Sequence, residues 1–110
     1  GYAMLSVALE ISDSFTIPNQ YKLYQNYPNP FNPTTVIQYD VPELSQTTLT
    51  IFDLSGRQIN QLINDTQSPG LKTIIWDGKD FLGNRAGAGI YIYQLKSGNF
   101  IESKKMIFVK

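Results

Sequence analysis

Hydrophobic and polar residues alternate along most of the chain, which is the pattern of β-strands that bury one face. Ile37, Tyr39 and Val41, for example, alternate with Gln38 and Asp40. Comparable patterns predict strands over residues 5–11, 34–41, 47–54, 59–63, 71–76, 90–95 and 100–109. No long stretch free of Gly and Pro has the apolar spacing of an amphipathic helix. The pattern therefore predicts an all-β chain with no helix longer than one turn.

Turn-forming residues separate the predicted strands. "DLSGRQ" predicts a hairpin turn in which Gly56 takes a positive φ, and "KSGN" predicts a tight turn around Gly98 and Asn99. "DTQSPG" (residues 65–70) has the composition of a loop, and "WDGKDFLGNRAGAG" predicts a long turn region that ends in Gly89. Short strands with turn signals roughly every ten residues predict an antiparallel β-sandwich, immunoglobulin-like or fibronectin III-like, of about seven strands.

The inward-facing positions of these strands define the expected core. Trp76 is expected to pack between the two sheets, as a buried tryptophan does in similar sandwiches. Asp53 falls on the same face as Leu49 and Ile51, and an ionisable group there predicts a bulge or a strand end. The expected core residues are Ile37, Tyr39, Leu49, Ile51, Ile59, Ile74, Trp76, Tyr91, Tyr93 and Leu95.

A segment rich in Pro and Asn precedes the first core strand: residues 26–33 hold three of each. Proline fixes φ and pushes the preceding residue toward extended backbone, so this segment cannot be helical. Tyr21, Tyr24 and Tyr27 share the three-residue spacing that places side chains on one side of an extended chain. We therefore expect residues 17–33 to form a clasp that lies against one end of the sandwich. The alternative, a PxxP ligand ("PFNP") for a partner domain, lacks the flanking basic residue of such ligands.

The chain divides at about residue 17. Residues 17–110 are expected to form one folded domain in which the clasp leads into the first core strand. Residues 1–16 are expected to be a tag remnant, a linker or an extra edge strand from an upstream region, and residues 1–4 resemble a cloning remnant.

Composition excludes several classes of function. Nine basic and nine acidic residues cancel, so net charge favours neither nucleic acid nor an anionic membrane as a partner. The chain has no Cys and no His, which excludes thiol nucleophiles, Ser-His-Asp triads, Cys/His zinc sites and disulfides. Neither a transmembrane run nor a signal peptide is recognisable, and the sequence is compatible with the end of a longer secreted precursor.

Polar motifs give only weak signals for metal binding or catalysis. "DGKD" (residues 77–80) resembles the start of a calcium loop, but Lys79 and Phe81 occupy the third and fifth positions, where ligands are required. Asp77 and Asp80 also form a pair of carboxylates without a substrate-shaped cluster around them. We expect no metal ion, no cofactor and no catalytic residue.

The last predicted strand lies in a region of net positive charge, whereas the rest of the chain is net negative. Four lysines and one glutamate among the final fifteen residues leave a net charge of +3. Lysines on an edge strand protect it from aggregation, and an edge strand is also where another chain can pair. The residues expected to be recognised by a partner are Gly98, Asn99, Lys104, Lys105, Met106, Ile107, Val109 and Lys110.

Four motifs occur in the order "IPNQYKLYQNYPNPFNPTTVIQYDVP", "LTIFDLSGRQI", "GLKTIIWDGKDFLGNRAGAGIYIYQL" and "KKMIFVK". In this order they resemble the C-terminal sorting domain (type A) of type IX secretion cargo proteins, from about residue 17 to residue 110. The third motif is also similar to the immunoglobulin-like domain of flagellar hook-capping proteins, which indicates a shared fold rather than a shared function. The motif positions are Pro28, Pro30, Phe31, Pro33, Asp53, Gly56, Trp76, Asp77, Gly78, Gly89, Tyr91 and Tyr93.

The resemblance implies a non-catalytic secretion signal. Domains of this family direct an upstream cargo in the same chain from the periplasm through an outer-membrane translocon to the cell surface or the medium. A surface sortase then usually removes them, and shuttle proteins are further implied partners. An edge strand at each end would also allow a strand-exchanged homodimer of the isolated fragment.

Two other functions remain open at this point. A carbohydrate-binding module would expose aromatic side chains for stacking on sugars, whereas Tyr91 and Tyr93 are expected to face the core. A purely architectural immunoglobulin-like spacer would need no recognition surface at all.

Overall fold

A computed structural model describes residues 17–110, which form two antiparallel sheets and contain no helix. Strand β1 is Lys22–Leu23, β2 is Thr35–Val41, β3 is Ser45–Asp53, β4 is Gln58–Gln67, β5 is Gly70–Trp76, β6 is Gly89–Ser97 and β7 is Phe100–Phe108. One sheet has the order β1-β2-β5 and the other the order β4-β3-β6-β7. The predicted immunoglobulin-like sandwich of about seven strands is confirmed. The strand predicted over residues 5–11, and the assignments for residues 1–16, lie outside the described residues.

Strand β4 differs most from its predicted extent. It continues to Gln67, so only Ser68 and Pro69 remain of the loop predicted over residues 65–70. The extension pairs with β3, where Ser45 lies opposite Gln67. Side chains over residues 64–66 are exposed on both faces of the sheet, so their sequence is polar and resembles that of a loop.

The end of β3 confirms the interpretation of Asp53. The strand ends at this residue, and its register with β4 shifts twice, between Leu49 and Thr50 and between Ile51 and Phe52. Each shift leaves one extra residue on β4, which makes a bulge. Because bulged edges pair poorly with other strands, β4 is a protected edge of the four-stranded sheet.

The hydrophobic core lies between the two sheets, and nine of the ten predicted core residues are buried. Ile74 is only half-buried because β5 is an edge strand, although Ile74 packs against the core. Trp76 is fully buried, and its ring lies 5.4 Å from that of Tyr91, which confirms its predicted position between the sheets. The core also contains residues outside the expected list: Leu23, Phe31, Val41, Ala86, Met106 and Phe108.

Two buried tyrosines make the stability of the fold sensitive to alkaline pH. Burial raises the pKa of Tyr39 and of Tyr93 to about 12, from an ordinary value of 10.0. The Tyr39 hydroxyl donates a hydrogen bond to Gln67 Oε1, and the Tyr93 hydroxyl donates one to the backbone oxygen of Tyr24. Both groups therefore fold in the protonated form.

Because folding raises these pKa values, the two protonated tyrosines contribute fully to the free energy of unfolding below pH 10. That contribution is lost as the pH rises towards about 12. We expect the denaturant midpoint, followed by circular dichroism, to fall steeply across that window. Tyr39→Phe should reduce the slope of this fall, because it removes one of the two groups. A midpoint that stays constant from pH 10 to pH 12 would contradict the prediction.

Candidate functional site

The terminal strand β7 lies at an edge of the four-stranded sheet, as the sequence predicted. It pairs with β6 in an unbroken register that runs from Ser97 opposite Phe100 to Gly89 opposite Phe108. A two-residue turn joins the strands, and its Gly98 has a φ of +57°. The hairpin predicted around Gly98 and Asn99 is confirmed.

Side chains along β7 alternate between the core and the surface. Met106 is fully buried, so this residue of the predicted recognition set belongs to the core. Ile101, with 61% of its side chain exposed, and the exposed Lys105 lie on the outer face. Ile107 is half-buried on the same face, and the side chain of Val109 is 42% exposed.

The two adjacent lysines of β7 differ in their surroundings. Lys104 is half-buried and its Nζ lies 3.8 Å from Glu102 Oε2, whereas Lys105 is exposed. Strand alternation places their side chains on opposite faces of the sheet. Lys110 is exposed beyond the end of the strand. Of the lysine pair, Lys105 is the one that is available to a partner.

The clasp lies along the outer edge of β7. Phe31 forms a parallel bridge with Phe108, in which the Phe31 N–H donates to the Ile107 carbonyl (2.9 Å) and the Val109 N–H donates to the Phe31 carbonyl (3.0 Å). The Ile107 N–H donates to Asn29 Oδ1 at 2.9 Å. These bonds hold the clasp along the edge of the last strand, whereas the sequence predicted a position at one end of the sandwich.

A second polar side chain of the clasp extends this contact. Gln25 Nε2 donates to the Lys105 carbonyl at 2.9 Å. The sequence does not mark Gln25 or Asn29 as functional residues. No local pattern identifies a side chain that bonds to backbone 80 residues away, as Gln25 does.

Phe31 and Asn26 anchor the clasp in the core. The Phe31 ring stacks on Phe108 at 4.7 Å between centroids and lies 5.6 Å from Trp76. The buried side chain of Asn26 donates to Thr35 Oγ1 at 2.9 Å, and its backbone N–H donates to the Tyr93 hydroxyl at 2.8 Å.

The prediction that three tyrosines of the clasp share one side is wrong. Tyr21 stacks on Phe100 and Tyr24 donates to Asp40 Oδ2, but Tyr27 is 79% exposed. The inward positions beside β2 are taken by Leu23 and Asn26, which leaves Tyr24 half-buried and Tyr27 exposed.

The three prolines of the clasp are exposed, and the peptide bonds that precede Pro28, Pro30 and Pro33 are cis. The segment between them leaves the three-stranded sheet and reaches the edge of the four-stranded one. The clasp thus closes one side of the sandwich.

Asp53 and Gly56 lie in the turn that joins β3 to β4, where the Gly56 N–H donates to the Asp53 carbonyl. Asp53 Oδ1 accepts hydrogen bonds from the Ser55 hydroxyl, the Ser55 N–H and the Arg57 N–H. These bonds, the Ser55 hydroxyl first, hold the pKa of Asp53 below its usual value. Asp80 holds a second turn in the same way, because its Oδ1 accepts the N–H groups of Leu82 and Asn84. Gly83 in this turn has a φ of +86°, close to the +87° of Gly56.

Gly78 packs directly against β7. A Cβ at this position would lie 2.8 Å from the Phe108 ring and 2.9 Å from the Pro33 carbonyl oxygen. The neighbouring Asp77 carboxylate accepts the Lys79 N–H at 3.1 Å, which is a turn contact. Within residues 17–110, no group of three or more His, Cys, Asp or Glu side chains is arranged to hold a metal ion.

The remaining motif residues serve the fold. Tyr91 and Tyr93 are 7% and 0% exposed, so neither ring can stack on a sugar from the surface. Gly89 opens β6 with a φ of +152°. In the described part of the chain, no helix is long and apolar enough to cross a membrane.

The same fold occurs in solved structures of three bacterial proteins, PorZ, PorU and FlgD. PorZ, an essential bacterial surface component of the type-IX secretion system of Porphyromonas gingivalis, is similar with a TM-score of 0.57 and 18% identity, over 80% of this chain and 11% of PorZ. Dimeric latent PorU from P. gingivalis gives a TM-score of 0.66 and 22% identity, over 84% of this chain and 9% of PorU. FlgD from P. aeruginosa gives 0.54 and 17%, over 84% of this chain and 74% of that structure.

The chain spans about a tenth of the length of PorZ and PorU, and at these identities the likeness concerns the fold alone. Comparison with curated proteins finds no match. The family model of the FlgD Ig-like domain matches residues 32–99, from the end of the clasp to the β6–β7 turn. Because the match covers more than half of the sequence, the chain belongs to the FlgD Ig-like domain family.

Proposed function

We propose that residues 17–110 form a non-catalytic C-terminal sorting domain (type A), which directs an upstream cargo across the outer membrane by type IX secretion. The observation that carries the proposal is the edge strand β7: it combines a solvent-exposed Lys105 with an outer side on which, among residues 17–110, the clasp binds only part of the backbone. The order of the four sequence motifs and the fold likeness to PorZ, a surface component of that system, support it.

In this proposal the partners act one after another. The cargo lies upstream in the same chain, an outer-membrane translocon recognises the domain in the periplasm, and a sortase or shuttle protein receives it at the cell surface. The described residues supply the recognition surface and the stable fold, and the chemistry of cleavage belongs to the sortase.

A truncation is a poor test of this proposal. Removing residues 104–110 would also remove Met106 and Phe108, which are buried, so lost export would report lost folding. Substitution of exposed residues avoids this ambiguity. Lys105 and Lys96 suit the purpose, since both are exposed on the outer face of adjacent strands.

We expect a periplasmic reporter fused before residues 17–110 to reach the surface or the medium in a host with the type IX apparatus. Lys105→Glu should leave most of the reporter in the periplasm, because it reverses the charge on the recognition strand. The same change at Lys96 is the matched control for net charge and should not reduce export. Both variants should melt near the parent temperature, since exposed substitutions away from special sites change stability by only about 0.5 kcal/mol.

Retention of the parent fusion in the periplasm would refute the sorting function. Export of Lys105→Glu at the parent level would instead refute recognition through this lysine, and would favour a purely protective role of lysines at the sheet edge.

A further inference from the structure

The backbone of β7 presents a row of outward-facing groups. In an antiparallel pair closed by a two-residue turn, the residues flanking the turn bond to each other, and every second residue thereafter does the same. Phe100, Glu102 and Lys104 therefore bond to β6, as do the later residues of the same parity. The intervening residues direct their N–H and C=O groups away from the sheet. They are Ile101, Ser103, Lys105, Ile107 and Val109.

The clasp bonds to the backbone of only the second part of this row; beside the first part, the Leu23 N–H donates to the Glu102 side chain at Oε1 (3.3 Å). The clasp takes the Lys105 carbonyl, both backbone groups of Ile107 and the Val109 N–H. Within residues 17–110, no hydrogen bond reaches the outward backbone groups of Ile101 and Ser103. We call the stretch from Ile101 to the Lys105 N–H the open edge.

Unpaired donors and acceptors at strand spacing are a template for pairing with another extended chain. From this geometry we propose that the open edge is a strand-addition site, where the export machinery adds one of its own strands to the four-stranded sheet. The proposal rests on the sorting function and specifies how the domain would be recognised.

Neighbouring groups limit the strand that fits. The clasp blocks continuation past Lys105, so the added ladder is about five residues long. On the outer face its side chains would lie beside Ile101, which is 61% exposed, and beside Lys105. Cross-strand neighbours are favourable when both are apolar or when their charges are opposite. The added strand should therefore carry an apolar residue beside Ile101 and an acidic one beside Lys105.

The three-stranded sheet offers a matched control edge. Val36 exchanges both backbone bonds with Tyr27 on the clasp side of β2, so its neighbours Thr35 and Ile37 bond to β5. Thr73 of β5 lies opposite Gln38, and its backbone therefore faces away from the sheet. Thr73 and Ser103 are both exposed, outward-facing residues near the middle of an edge strand.

Proline at an outward position removes one N–H from the edge while the ladder to the neighbouring strand remains. We expect Ser103→Pro to abolish export of the reporter fusion, while Ser103→Ala and Thr73→Pro are exported like the parent. Circular dichroism of each purified variant checks that it folds. If Ser103→Pro does not fold, Ile101→Pro carries the same test.

Hydrogen exchange of the full chain tests the geometry without any partner. The amides of Ile101 and Ser103 should exchange fast, whereas those of Ile107 and Val109, which the clasp binds, should be protected. Normal export of a folded proline variant, with the parent also exported, would overturn strand addition but not the sorting function. A Ser103 amide as protected as that of Val109 would overturn it too, since the edge would already be paired. Failure of the parent fusion itself would refute the sorting function.

Discussion

Phe31→Ala is expected to lower the free energy of unfolding by about 3–5 kcal/mol, the usual cost of deleting a buried phenylalanine ring. Phe31 is 1% exposed, and it stacks on Phe108 and contacts Trp76, so its removal leaves a cavity at the centre of the aromatic core. The loss is large because a domain of this size is stabilised by only about 5–15 kcal/mol in total.

Denaturant unfolding, followed by the fluorescence of Trp76, would measure this loss. Phe81→Ala is the matched control, because the Phe81 side chain is 70% exposed and its deletion should cost no more than about 0.5 kcal/mol. Equal effects of the two changes would contradict the structure, since they would mean that the clasp is a linker rather than part of the fold.

Gly78→Ala is expected to cost about 3 kcal/mol, as the sum of two effects. The backbone at Gly78 has a φ of +76°, where a side chain adds roughly 1–2 kcal/mol of strain. The new Cβ would also collide with the Phe108 ring and with the Pro33 carbonyl oxygen, and overpacking typically costs about 1–3 kcal/mol.

Gly83→Ala separates these two effects. Gly83 has a similar φ of +86°, but no atom lies within 4 Å of the Cβ that alanine would add. The control should therefore lose only the roughly 1–2 kcal/mol of backbone strain. Thermal or denaturant unfolding of both variants provides the comparison. A loss at Gly78 no greater than that at Gly83 would argue against the close contact between the turn and β7.

Local alternation predicted the strands and most of the core because each side chain's face depends on its own strand. Tyr93 and Leu95, for instance, are buried as expected. The same rule missed the end of β4, where an edge strand exposed on both faces has the polar sequence of a loop. The three-residue spacing of the tyrosines in turn misplaced Tyr27, because pairing of the clasp with β2 sets the direction of that side chain.

The candidate site was predictable only in part. The terminal position and the lysines marked β7, but the sequence treated Lys104 and Lys105 alike, whereas one is paired with Glu102 and the other is exposed. Which part of the outer edge of β7 the clasp covers depends on Gln25 and Asn29, whose side chains bond to backbone about 80 residues away. Contacts of that separation follow from the folded topology, and no local pattern encodes them.

The long separation between the clasp and β7 also affects how the chain folds. Asn29 and Ile107 are 78 residues apart, so their contact closes a large loop, and such contacts are slow to form. Before this closure, the outer side of β7 is unpaired over its whole length, and intermediates with long unpaired edges are prone to aggregation. The folding chain, rather than the finished domain, therefore carries the greater risk of intermolecular strand pairing.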